Sequence, residues 1–157
     1  MSIAVKIDHS ALASTGSPDG SALFPLQIAA PVALPTTALP TGATEVVGSS
    51  GVVSAAAAVA TLTSSAGRTA YLTAFGVAGL GATAAVMATI TITGVLGGTI
   101  NFGYPVPAGV GVAGQPMTVS IEPPLPASAV NTNIVVTVAS FGTGNVGASC
   151  MATGYLV

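Results

Sequence analysis

The stretch VMATITIT, residues 86 to 93, is the clearest indication in this chain of which secondary structure it forms. Threonine and isoleucine alternate along it, so a strand would place Ile90 and Ile92 on one face and Thr89, Thr91 and Thr93 on the other. A helix of the same residues would scatter the threonines around its circumference. The pattern therefore predicts a half-buried antiparallel strand.

A longer uncharged stretch surrounds this strand. Residues 74 to 98 carry no charge and are numerous enough to cross a bilayer as a helix. They are rich in glycine, threonine and β-branched residues, however, and neither an aromatic belt nor a Lys/Arg cluster marks their ends. We therefore expect strands here and no membrane partner.

From residue 46 onward, apolar and alternating segments are separated by Gly, Pro and Asn, as in an all-β protein. The run from Ala55 to Ala58 favours a helix by propensity, but it lies between valines and an alternating segment, so we assign it to the first strand. The predicted strands cover residues 52–63, 69–77, 86–93, 99–104, 117–122, 134–139 and 148–156. Such a series of short strands predicts a jelly-roll or β-sandwich domain over residues 46–157.

Alternation also predicts which side chains of these strands face inward. The expected inward residues are Tyr71, Phe75, Val77, Ile90, Ile92, Ile100, Phe102, Tyr104, Val119, Ile121, Ile134, Val136, Val138, Met151 and Tyr155. The single cysteine, Cys150, is expected to pack as a small hydrophobic residue in the last strand.

Residues 1–45 have a different composition. They hold five prolines, and Pro25, Pro31, Pro35 and Pro40 recur at a spacing that forbids a helix. We predict an extended Pro/Ala-rich N-terminal arm that lies on its own domain, a neighbouring subunit or a separate scaffold. The first ten residues lack the apolar core of a secretory signal, so we expect synthesis in a cytoplasm.

Charged residues make up only 4% of the chain, and the net charge is −2. Nucleic acid is not an expected partner, because a basic patch is missing. Gly109, Gly111 and Gly114 spell GxGxxG, as do glycines 142, 144 and 147, but neither set lies between a parallel strand and a helix. With one histidine and few acids, we predict neither an enzyme nor a cofactor or metal site.

Two charged residues stand at the ends of a long neutral segment, Arg68 and Glu122. They are a candidate ion pair within or between subunits, or two solvated charges of little energetic value. The neutral surface between them offers little charge repulsion or charge desolvation on close contact between copies. We therefore expect a stable homo-oligomer.

The segment from Ala66 to Leu156 resembles the head decoration, or cement, proteins of tailed bacteriophages. The resemblance is carried by GRTAYLT at 67–73, TITGVLGGT at 91–99, YPVPAG at 104–109, PPLPAS at 123–128 and the closing GYL. It implies a jelly-roll subunit that forms a homotrimer and binds the major capsid protein at three-fold and quasi-three-fold positions. It also implies a location on the capsid exterior of the virion.

The arm supplies the candidate capsid contacts. They are the apolar residues Phe24, Leu26 and Ile28, with Lys6, Asp8 and His9 as polar partners. The same apolar residues would alternatively pack on the arm's own trimer. A different class of function is a trimeric receptor-binding or fibre-tip module of a phage, although few aromatic residues are available in loops for binding sugars.

Overall fold

The computed structural model describes residues 39–157, which form an all-β structure with no helix in that range. Its strands are β1 (Thr44–Val53), β2 (Ala58–Leu62), β3 (Ala70–Gly79), β4 (Val86–Thr93), β5 (Ile100–Val106), β6 (Met117–Pro126), β7 (Ile134–Val138) and β8 (Ala148–Leu156). One four-stranded sheet has the order β1-β8-β3-β6, and the other has the order β2-β7-β4-β5. All strand pairs are antiparallel, and the inward side chains of both sheets share one core, as in a β-sandwich.

Strand β4 is the strand expected from the alternating threonines. Ile90 and Ile92 are fully buried and Thr89 is exposed, which confirms the predicted faces. Ile92 pairs with Val136 of β7, and Ile90 pairs with Val138. The β-branched side chains of two central strands thus form the middle of the core.

The first predicted strand was wrong, because residues 52–63 belong to two strands in different sheets. The chain bends at residues 54–57, where Ala55 has a φ of 48°, and the alanine run thus forms a corner. Strand β1 begins at Thr44, so the last two residues of the segment predicted as an arm lie in the sheet. Gly48 lies so close to the backbone of Thr61 that no side chain fits between β1 and β2.

Three further predictions of inward residues were wrong: Tyr71, Tyr155 and Met151 lie on the outer face. In β3 the pairing shifts between Leu72 and Ala74, and this bulge reverses the alternation. Leu72 is therefore fully buried, while Tyr71 lies on the outer face. There its ring stacks on Tyr155, with 5.0 Å between the ring centres, and covers it.

Strand β8 presents small residues to the core. Cys150 and Ala152 are buried, whereas Met151 is 50% exposed on the opposite face. Met151 is the larger side chain, but pairing with both β1 and β3 fixes the strand in the orientation that buries its neighbours. The expected burial of Cys150 is confirmed.

The seven connections between strands lie at two ends of the sandwich, because successive strands alternate in direction. Residues 54–57, 80–85, 107–116 and 139–147 meet at one end, which we call the four-loop end. Residues 63–69, 94–99 and 127–133 meet at the other. The core lies between these two sets of loops.

Candidate interaction surface

The loops of the four-loop end are joined to one another by main-chain hydrogen bonds. These bonds run from Gly81 N to Val112 O (2.6 Å), from Gly109 N to Ala82 O (2.7 Å), from Thr83 N to Thr143 O (2.9 Å) and from Ala55 N to Asn145 O (3.1 Å). The backbone donors and acceptors of one loop thus satisfy those of the next. The four-loop end is accordingly a fixed surface formed by segments far apart in the chain.

An aromatic pair supports this surface from below. The rings of Tyr104 and Phe141 are stacked, with 5.2 Å between their centres, and both residues are buried. The Tyr104 hydroxyl donates a hydrogen bond of 2.8 Å to the Gln115 carbonyl and so anchors the longest loop. Burial raises the pKa of Tyr104 above its usual value, which keeps the hydroxyl in the protonated, donating form.

Asn145 connects the loop at 139–147 to the loop at 80–85. Its side chain is 2% exposed, and its Nδ2 donates to the carbonyls of Leu80 and Gly147. Its Oδ1 is buried with no hydrogen-bond partner. Because buried amides are costly to leave unpaired, the two donated bonds are the reason that asparagine is tolerated here.

The outside of the four-loop end is uncharged, and several valines are exposed on it beside polar loop residues. Val52, Val110, Val112 and Val146 are 78%, 56%, 47% and 51% exposed, and the four loops contain no Asp, Glu, Lys or Arg. An apolar hollow of about 350 Å³ lies beside them, with Val52, Leu80 and Val146 among its walls. Exposed valines on a neutral surface held by main-chain hydrogen bonds make this end a candidate site for binding another protein surface.

Glycines form much of this hollow because side chains do not fit there. A Cβ on Gly79 would lie 2.5 Å from the ring of Phe141, and a Cβ on Gly114 would lie 2.9 Å from the Gly79 carbonyl oxygen. The glycines therefore allow the loops to approach closely enough to hydrogen-bond. Their close packing also leaves Val52 and Val146 protruding beside the hollow.

The charged residues of the described chain lie outside the four loops. They are Glu45 in β1, Arg68 before β3 and Glu122 in β6. The Arg68 guanidinium donates to the Gly42 carbonyl and the Thr44 hydroxyl, each at 3.1 Å, and to the Leu156 carbonyl at 3.4 Å.

The two residues of the predicted ion pair lie at opposite edges of one sheet. Arg68 donates a hydrogen bond to Thr44 of β1, at one edge of the sheet β1-β8-β3-β6, whereas Glu122 lies in β6 at the other edge. Within residues 39–157 of one subunit, the guanidinium of Arg68 is thus used by main-chain and hydroxyl oxygens. A pair between Arg68 and Glu122 of different subunits stays a prediction.

The candidate capsid contacts in the arm lie outside the described residues. These are Lys6, Asp8, His9, Phe24, Leu26 and Ile28. Sequence reasoning missed the valines of the four-loop end, although a signal was available. Val110, Val112 and Val146 each have a glycine next to them, in loops where polar residues are the norm.

The chemistry available on the described surface is limited. Among residues 39–157, no group of three or more His, Cys, Asp or Glu side chains is placed to hold a metal ion. Burial raises the pKa of the Cys150 thiol to about 11, so the thiolate that would act as a nucleophile is disfavoured. In the same range, no helix has the length and apolarity needed to cross a membrane.

The four-loop end can make contact through its shape and its exposed valines, without charged side chains.

Comparisons with protein-family models, with curated proteins and with solved structures gave no match to this chain.

Proposed function

We propose that this protein is a structural virion protein, a trimeric decoration or cement protein that binds the outside of a phage capsid at three-fold and quasi-three-fold sites. The observation that carries the proposal is the four-loop end, where exposed valines lie on a rigid surface without charge. Such a surface binds by fit and apolar burial and needs no reaction. The protein is accordingly proposed not to be an enzyme.

We also propose that the β-sandwich is a jelly roll preceded by an extended arm over residues 1–45. The support is the strand order: sheets β1-β8-β3-β6 and β2-β7-β4-β5 contain eight strands, and the first and last strands pair. Eight antiparallel strands wound into two sheets are typical of viral capsid domains.

The proposed mechanism is stabilisation through avidity. A trimer presents three identical weak sites, and binding of one raises the effective concentration of the other two. Linked sites of this kind exceed the single-site affinity by factors on the order of 10²–10⁴. Because such a trimer binds several neighbouring copies of the major capsid protein, it stabilises the assembled shell over the separated subunits.

Two parts of the chain are proposed to contact the capsid. The first is the four-loop end, with Val110, Val112 and Val146. The second is the arm, where Phe24, Leu26 and Ile28 supply apolar contacts; Lys6, Asp8 and His9 are the proposed polar partners there. These assignments are separable, because none of the named arm residues belongs to the eight strands found in residues 39–157.

The decisive experiment is binding of purified protein to capsids that lack it, measured by co-sedimentation and located by cryo-electron microscopy. We expect density on the outside of the shell at three-fold positions. If the protein fails to bind over the micromolar range, the proposed function is wrong. An antibody against this chain that labels the virion tail instead would favour the fibre-tip alternative.

A matched pair of variants tests the four-loop end. Val146→Lys introduces a charge on that surface, while Val130→Lys does so at the opposite end, and the two valines are 51% and 52% exposed. We expect Val146→Lys to weaken capsid binding at least tenfold and Val130→Lys to leave it unchanged. Equal binding by both variants would remove the four-loop end from the proposal.

Deletion of residues 1–38 tests the arm separately. The variant keeps all the strands described in residues 39–157, and we expect weaker capsid occupancy with the β-sheet signal retained in circular dichroism. Unchanged occupancy would exclude the arm residues as capsid contacts. The binding that remains after this deletion should persist in 0.5 M salt, since screening acts on charges and the four-loop end has none.

A further inference from the structure

One side of the sandwich is open. The inward side chains of the first part of edge strands β5 and β6, residues 100–102 and 117–121, are only partly buried, although they pack against the core. Phe102, for example, lies 5.3 Å from the ring of Phe75, which is 1% exposed, yet Phe102 itself remains accessible. We call this strip the β5–β6 seam, and it consists of Ile100, Phe102, Met117, Val119 and Ile121.

The opposite side of the sandwich is closed. There β1 approaches β2 so closely that Gly48 lies against the Thr61 backbone. The inward residues of β2, namely Ala58, Ala60 and Leu62, are at most 1% exposed although β2 is an edge strand. On β1 the inward residues Val46 and Val53 are also partly buried, so the two sides differ in extent: the β5–β6 side leaves five apolar side chains partly accessible.

The seam is also bordered by unprotected strand edges. Strands β5 and β6 each end a sheet and do not pair with each other. Prolines protect the later part of each strand, at Pro105 in β5 and at Pro123, Pro124 and Pro126 in β6. Residues 100–104 and 117–121 contain neither proline nor charge, the usual devices that keep an edge from pairing.

A second copy of this chain matches the seam. An uncharged apolar strip disfavours partners that would bury charge against it, and residues 39–157 carry only three charged side chains. The seam alone is too small for a stable contact. Five residues at 3.3 Å and a sheet separation of 10 Å give a footprint on the order of 200 Å², while a stable interface needs about 800 Å² per partner. The contact must therefore extend over a neighbouring flat surface.

The two outer sheet faces differ as receiving surfaces. The outer face of the sheet β2-β7-β4-β5 is formed by neutral residues, among them Val59, Thr89, Thr137 and Asn101. The other sheet carries Glu45 and Glu122. Only the first face therefore receives an apolar strip without desolvating a carboxylate.

We propose that the β5–β6 seam of one copy packs on the outer face of the β2-β7-β4-β5 sheet of the next copy, closing a ring. Different surfaces of the same chain meet in this contact, which is the arrangement that generates cyclic oligomers. The inference deepens the homotrimer of the proposed function by naming its interface. A ring formed through this side contact directs every four-loop end the same way along its axis.

The experiment uses the full chain in solution without capsids, so its result is independent of capsid binding. Thr118→Lys with Ser120→Lys places two charges on the exposed side of β6, beside the seam. We expect these changes to weaken association at least about a hundredfold, as measured by sedimentation velocity. The matched control is Val47→Lys with Ser49→Lys on β1, the other edge strand of the same sheet, and we expect it to assemble like the wild-type protein.

The receiving face is tested by Thr89→Lys, which alters an exposed residue of β4. It should weaken association as the seam variant does. If Thr89→Lys assembles normally, the assignment of the receiving face is overturned. A seam variant that assembles normally, or a wild-type protein that is monomeric at 100 µM, overturns the whole proposal.

Methionine oxidation gives a second readout that does not depend on subunit dissociation. Met117 lies in the seam, and Met151 lies on the outer face of the sheet β1-β8-β3-β6, away from the seam and from the receiving face. In the assembled protein, peroxide should oxidise Met117 at least tenfold more slowly than Met151, and the seam variant should lose this protection. Protection of Met117 in a monomeric wild-type protein would show that another part of the same chain covers the seam, which contradicts the proposal.

Discussion

Replacement of Asn145 tests whether the four-loop end is held together as described. In Asn145→Ala both Nδ2 bonds are lost. The Gly147 carbonyl keeps the hydrogen bond that it accepts from Leu80 N at 2.7 Å, while the Leu80 carbonyl loses the donor it had from Asn145. Loss of the donor to this partly buried carbonyl costs at most about 1–3 kcal/mol. Removal of the unpartnered Oδ1 offsets part of this cost, so we expect a loss of about 2 kcal/mol in the free energy of unfolding.

Asn145→Asp keeps the size of the side chain but replaces the donating Nδ2 group with a carboxylate oxygen that only accepts hydrogen bonds. The carboxylate would face two carbonyl oxygens in a buried position, and an unpaired buried charge costs roughly 3–5 kcal/mol. Burial would raise the pKa of the new carboxyl in the folded state above its value of about 3.9 in the unfolded state. Protonation therefore favours the folded variant, and its stability relative to Asn145→Ala should recover as the pH falls.

Urea denaturation followed by far-ultraviolet circular dichroism measures both variants. The protein concentration is held fixed, because association adds to the apparent stability. We expect the order wild type, then Asn145→Ala, then Asn145→Asp at pH 7. The reasoning is refuted if Asn145→Ala unfolds within 0.5 kcal/mol of the wild type, or if the Asp variant is as stable as the Ala variant at pH 7.

Three further predictions follow from the core and the strand contacts. Burial raises the pKa of Cys150 from 9.0 to about 11 in the folded state, so its contribution to stability is complete below pH 9 and is lost as the pH rises toward 11. In urea melts over a pH series, the free energy of unfolding of Cys150→Ala should therefore decline less between pH 9 and pH 11 than that of the wild type. Arg68→Leu removes the Nη1 group that donates all three hydrogen bonds, and we expect a loss of about 1 kcal/mol in the same assay, with no loss contradicting the described hydrogen bonds. The added Cβ of Gly48→Ala would overlap the Thr61 backbone and should cost about 1–3 kcal/mol of stability. The control Gly76→Ala should be tolerated, because its Cβ would lie 3.6 Å from the nearest atom. Equal melting temperatures of the two variants would refute the close approach of β1 and β2.

The sequence pointed to the two isolated charges but not to the valines of the four-loop end. Arg68 and Glu122 were singled out because they are rare charges, and the structure shows which oxygens Arg68 binds. The valines of the four-loop end were not singled out, because a valine next to a glycine in a loop is informative only when its surroundings are known. Three segments separated by tens of residues must meet before Val52, Val112 and Val146 become one surface.

A strand was predicted at each of the positions from β3 to β8, because alternation of apolar and polar residues is a property of neighbours in the chain. The segment at 86–93 coincides with β4, and the fully buried isoleucines were identified from spacing alone. The corner at residues 54–57 and the bulge after Leu72 became evident only in the folded structure. The bulge shifts the alternation of β3, so that residues before it face the opposite way from the one predicted. The tertiary structure also decided that Thr44 pairs with Leu156, at the far end of the chain. Strand pairing, closed and open edges, and the joining of loops depend on contacts between distant residues, and local periodicity carries no information about them.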